Sequence, residues 1–162
     1  MTIVRHHGGW VILVSIIIGY LLTVLPLPAE AEQLRPDWSA LIIIYWVLAL
    51  PQRVGVGVAW LVGLFQDALV GTLLGAHALA FALVAYLTLK LHQRIRVFPL
   101  WQQALSVLVL LLLIRLLLYW INGLIGRPAA DWVFWTPALI GTLFWPVVFV
   151  FLREIRRRYR VQ

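Results

Sequence analysis

Residues 54–82 read VGVGVAWLVGLFQDALVGTLLGAHALAFA, and within them Gly55, Ala59, Gly63, Asp67, Gly71 and Gly75 recur at every fourth position. On a helix the first four of these form one slowly turning face of minimal bulk, against which a neighbouring backbone can lie closely. The residues around them are almost all apolar, and Asp67 sits on the small face instead of the bulky one that lipid would cover. An ionisable group so placed points into the protein, toward a partner or a water-filled cavity. The turn Gly71-Thr-Leu-Leu-Gly75 carries no charge and leads into a second small-residue series, Ala76 with Ala80 and Ala78 with Ala82. The stretch predicts a tight transmembrane hairpin with a barely polar tip.

The rest of the chain has the same character. Of its 162 residues 64% are hydrophobic and 12% charged, and a water-soluble domain of this length has no way to hide that much apolar surface. Short polar breaks divide the apolar sequence into runs, which predict an all-α polytopic membrane protein: a single integral membrane domain over 1–162. Six transmembrane helices are expected, over 10–27, 34–50, 54–70, 76–91, 100–121 and 132–152, each near the ~20 residues that a bilayer requires or somewhat short of it. The third and fourth are short, so the tip between them is expected below the headgroups, in a shallow outward-facing depression. The first run lacks a small-residue cleavage pattern and reads as a retained helix.

Charge sets the orientation. The formal charge is +7, but the arginines stand at the ends of apolar runs, which argues for membrane orientation and against nucleic acid. With both termini in the cytoplasm, inner segments hold ten basic residues (Arg5, Arg53, Lys90, Arg94, Arg96, Arg153, Arg156, Arg157, Arg158 and Arg160) and outer segments two, Arg35 and Arg127. Trp10, Trp38, Trp101, Trp120, Trp132 and Trp135 fall at expected span ends, where amphipathic indoles prefer to lie. The basic tail, Arg153 to Arg160, serves as an orientation signal and a contact for anionic lipid.

Two charges lie deep. Asp67 is thirteen residues past Val54 and Arg115 fourteen past Trp101, so at ~1.5 Å per residue both stand ~20 Å up their spans. Because a lone charge there is costly, Asp67 and Arg115 are expected to face each other as a buried pair. The alternative for Arg115 is snorkelling toward the interface. His77, just past the tip, is a candidate for a polar outer pocket beside Asp67. Gly55, Ala59, Gly63, Gly71, Gly75, Ala78 and Ala82 are the expected helix-packing or partner face.

Catalytic patterns are missing: there is no HExxH, no phosphate loop ending in Lys-Ser or Lys-Thr and no GxSxG elbow. Without cysteine there is neither a disulfide framework nor a thiolate metal site, and the four histidines are scattered. No catalytic, metal or cofactor residues are therefore assigned.

Arg35-Pro-Asp-Trp38, Tyr45-Trp-Val-Leu-Ala-Leu-Pro-Gln-Arg-Val-Gly55, Gly63-Leu-Phe-Gln-Asp67, Gly71-Thr-Leu-Leu-Gly75 and Trp101-Gln-Gln-Ala-Leu105 together resemble the bacterial rod-shape-determining MreD family. The resemblance covers essentially the whole length, and Asp67 matches the acid of the family's Gly-Leu-x-x-Asp segment. It implies a multi-pass inner-membrane subunit of the cell-elongation machinery that supports peptidoglycan synthesis. The implied partners are MreC directly, and through it MreB, RodA and RodA's partner transpeptidase. It also implies a fold related to the substrate-binding subunits of energy-coupling-factor transporters, and it supplies no catalytic residues. The leading expectation is a non-enzymatic scaffold whose small-residue faces receive a partner helix or a second copy, as a homodimer. The alternative is a transporter subunit that holds a small molecule in the outward-facing pocket.

Overall fold

A computed structural model describes residues 8–127 and 131–161, and among them every regular element is helical. Arg5 of the basic lead lies outside the described residues. The helices are α1 (Gly9–Val24), α2 (Ala29–Glu32), α3 (Trp38–Ala49), α4 (Val56–Val70), α5 (Ala76–Val97), α6 (Leu100–Leu124) and α7 (Thr136–Arg158). A 3-10 turn, Trp132–Trp135, leads into α7.

The second of the expected spans is the centre of the fold. In α3 all residues from Ser39 to Leu48 are buried, and the helix packs against α1, α4, α5 and α7. A helix that is apolar on every side is stable only when other helices enclose it. Its few polar groups are matched by neighbours: Trp46 Nε1 donates to Ser15 Oγ on α1 at 2.8 Å, and Ser39 Oγ donates to Gln66 Oε1 on α4 at 2.8 Å. Leu34 is not part of this helix, which begins at Trp38 behind Pro36 and Asp37.

Other boundaries differ from the sequence expectation for local reasons. Helix α1 stops at Val24 instead of residue 27, because Leu25 precedes Pro26 and a residue before proline is pushed out of the helical region. The Arg35 side chain then hydrogen-bonds the carbonyls of Thr23 and Leu25, which the helix end leaves without partners. The stretch 92–97, which lies between the expected spans 76–91 and 100–121, is the end of α5, which runs on until Phe98-Pro99 stops it. Arg94 and Arg96 occupy its last turn, where positive charge meets the negative end of the helix dipole. In the same way α7 begins at Thr136, passes through Pro146, and carries Arg156, Arg157 and Arg158 in its last turn.

The outside of the bundle is apolar. Leu100–Leu124 and Trp132–Arg158 are each long and apolar enough to cross a membrane, yet only 28% and 17% of their most apolar windows is buried within the chain. Core helices of soluble proteins are mostly buried, so these two, with most of their apolar surface uncovered, fit membrane helices better than a soluble core. Helices α1, α3 and α4 are apolar but shorter.

Candidate functional site

Asp67 lies in the last turn of α4 and has no exposed surface. Its carboxylate holds the start of α5. Oδ1 accepts from Thr72 Oγ1 at 2.7 Å and from the His77 amide at 2.9 Å, and lies 2.8 Å from His77 Nδ1. Oδ2 accepts from the amides of Gly75 at 2.9 Å and Ala78 at 3.3 Å. The Asp67 carbonyl also accepts from the amides of Gly71 and Thr72. Gly75 is the capping residue of α5 and has no side chain with which to satisfy the first amides of that helix. Asp67 caps them instead from the preceding helix, and a negative charge there also favours the positive end of the helix dipole. Because an ionised carboxylate only accepts, His77 donates from Nδ1, which sets its tautomer.

The turn is built to allow this. Gly71 and Gly75 have φ of 75° and 101°, a region that side chains with Cβ rarely adopt, and this lets five residues fold back over the carboxylate. Below the turn, α4 and α5 meet backbone to backbone. A Cβ on Gly63 would stand 2.5 Å from the His77 carbonyl oxygen and 2.6 Å from Ala78 Cα. Ala59 and Ala78 are fully buried beside it. The expected small-residue face is thus divided in its use. Ala59, Gly63 and Ala78 are consumed inside the hairpin, Gly71 and Gly75 form the turn, Ala82 is half-buried, and Gly55 caps α4 with nothing near its Cα hydrogens. No continuous glycine face is left for a partner.

The expected Asp67–Arg115 pair is not formed. Arg115 Nη2 donates to Asp37 Oδ2 at 2.7 Å, and its guanidinium lies over the Phe134 ring at 5.2 Å. Equal height along two spans says nothing about the direction in which each side chain points, and α6 turns Arg115 toward the start of α3. Asp37 and Arg115 retain 15% and 14% of their side-chain exposure, so removing either leaves a partly desolvated charge. We expect Asp37→Asn and Arg115→Gln each to cost about 2 kcal/mol and the double variant to cost less than their sum, measured as a double-mutant cycle of thermal unfolding.

A depression of about 420 Å³ lies against the turn, lined by Gly71 to Leu74, Ile125 and Arg127. His77 does not line it: its ring is buried, turned onto Asp67 and edge-on to Phe81. Among the described residues no three His, Cys, Asp or Glu side chains converge as metal ligands. Sequence reasoning overlooked Thr72, Ser39, Gln66 and Gln103, whose signal was polarity inside or beside an apolar run. Gln103 is buried and accepts from Trp145 Nε1 at 3.2 Å while donating to the Ile95 carbonyl.

Apolar outer helices around a polar clamp define an all-helical membrane protein whose one deep acid serves to hold two helices together. The family model described as rod shape-determining protein MreD matches residues 4–155. A rod shape-determining protein MreD of Haemophilus influenzae is 34% identical over 150 residues, covering 93% of this chain and 93% of that protein. The chain belongs to the MreD family of rod-shape-determining proteins. No solved structure matches it.

Proposed function

We propose that this chain is a non-enzymatic scaffold of the rod-shape machinery that crosses the inner membrane six times, has both termini in the cytoplasm, and binds MreC within the membrane to support peptidoglycan synthesis. In this reading MreB, RodA and its partner transpeptidase are reached through MreC, and the fold is related to that of energy-coupling-factor substrate-binding subunits. The observation that carries the scaffold reading is the complete engagement of Asp67: both oxygens bind the hairpin's own donors, which leaves the deepest acid to structure. Family membership supports a role in cell shape.

Since Gly63 is consumed inside the hairpin and Gly71 and Gly75 in its turn, the partner helix needs another face. A recess of about 260 Å³ between α1, α3 and α7 is lined by Trp10, Val14, Ile18, Ile42, Phe151 and Tyr159 among others. Val14, Ile18 and Phe151 remain exposed there. Without water to drive association, helices in a membrane join by close packing, and an apolar recess running along α1 suits the membrane segment of MreC. Co-purification from membranes tests this: wild-type chain is expected to bring down MreC, and Val14→Trp with Ile18→Trp to reduce recovery at least about tenfold while the thermal transition is kept. Undiminished recovery would move the contact to another face, and no recovery with wild type would end the scaffold reading.

A further inference from the structure

At the end of the bundle opposite the tip, a cavity of about 280 Å³ lies between α3, α5, α6 and α7. Its lining includes Arg96 from α5, Arg153 and Arg156 from α7, and Tyr45, Gln103 and Phe149. Three arginines from two helices meet there, and the ion pairs of the described residues, Asp67 with His77 and Asp37 with Arg115, involve none of them. Arg156 is half-buried and directs Nη1 toward the Ala49 carbonyl at the end of α3, at 3.5 Å, which orients it against the bundle. Glu154, the acid nearest in sequence, lines a different cavity with Arg157 and Arg158.

We propose that this cavity is a binding site for the phosphate headgroup of an anionic phospholipid. Phosphate chemistry follows from the lining, because guanidinium groups give planar, paired donors that match phosphate oxygens. The lipid as its source follows from position. Leu48, Ala49 and Phe149 add apolar wall beside Tyr45 and Gln103, and α6 and α7 leave most of their apolar surface uncovered by the chain itself. A headgroup held at this level leaves its acyl chains against that surface, whereas a free phosphate or an acidic peptide would gain nothing from it. Basic pockets between membrane helices near the headgroups are suited to such lipids. The site rests on the reading of these helices as membrane-spanning and does not depend on MreC: loss of MreC recovery with lipid retention intact leaves it standing.

The test is lipid retention by the full chain, purified in mild detergent and exchanged into nanodiscs of phosphatidylcholine containing phosphatidylglycerol, then read by native mass spectrometry. Phosphatidylglycerol is expected to stay bound in preference to phosphatidylcholine. Retention should fall about fivefold for each replacement among Arg96→Gln, Arg153→Gln and Arg156→Gln. Arg157→Gln with Arg158→Gln, which stand outside this cavity, should lower it less than any one of these three replacements. Arg96→Gln lies on an exposed position of α5 and keeps the test open if the α7 variants unfold. Equal retention of the two lipids, or an equal loss in the Arg157/Arg158 control, would overturn the site. Displacement of the lipid by millimolar inorganic phosphate alone, or by an acidic peptide, would overturn the assignment to a lipid.

Discussion

Replacing Asp67 with alanine is expected to destabilise the protein by about 3–5 kcal/mol, through buried donors left without an acceptor rather than through any lost reaction. The amides of Gly75, His77 and Ala78 and the Thr72 hydroxyl all donate to this one carboxylate. Asp67 has no exposed surface, so no bulk water stands ready to replace it. Asp67→Asn should be nearly as damaging, because one carboxylate oxygen becomes an amino group that faces amide donors with hydrogens of its own. Thr72→Ala removes one bond and should cost about 1 kcal/mol. Tryptophan fluorescence during thermal unfolding in detergent follows all three, since Trp46 and Trp145 are fully buried. The alanine variant should melt roughly 10 °C lower. An unchanged transition in Asp67→Ala would mean that the clamp contributes nothing to the fold.

Gly63→Val should be more disruptive still, and should yield little or no folded protein from membranes. The new Cβ would overlap the His77 carbonyl oxygen and the Ala78 backbone, neither of which can rotate away as a side chain would. Overpacking ordinarily costs about 1–3 kcal/mol. Here α5 must also move off α4, and that pulls the His77 and Ala78 amides away from Asp67, so the two losses add. Gly55 and Gly57 belong to the same helix region but have nothing within 4 Å of an added Cβ. Gly57→Ala is therefore expected to be neutral or to gain as much as ~1 kcal/mol from reduced backbone entropy. Yield and melting temperature at Gly63 and Gly57 separate close packing from mere small size. Equal tolerance at Gly63 and Gly57 would show that α4 and α5 are not in backbone contact.

Much of this was legible in the chain. The hairpin, its glycine-bounded turn and the inward placement of Asp67 follow from four-residue spacing, which fixes the face of a helix on which a residue lies. What spacing cannot supply is the partner across that face. Asp67 and Arg115 share a height, yet each found a partner of its own: Asp67 bound the amides of a helix start ten residues on, and Arg115 reached Asp37, 78 residues back. Backbone amides carry no letter in the sequence, so the capping role of Asp67 was invisible there.

Helix ends divide in the same manner. Proline ends α1 and α5 where local sterics demand, whereas the basic stretches of α5 and α7 remain helical because nothing in them breaks the hydrogen-bond ladder. Composition and periodicity by themselves determined that this is a helical chain for an apolar surrounding, with one tight hairpin, since burial of apolar surface and helix geometry act on every residue in the same known way. Only the tertiary structure decided that the twelve-residue α3 is the central helix, that Gly63 is spent within the hairpin, and that three arginines border one cavity. Those outcomes depend on the angles at which helices meet, and these are set by side chains far apart in sequence packing all at once.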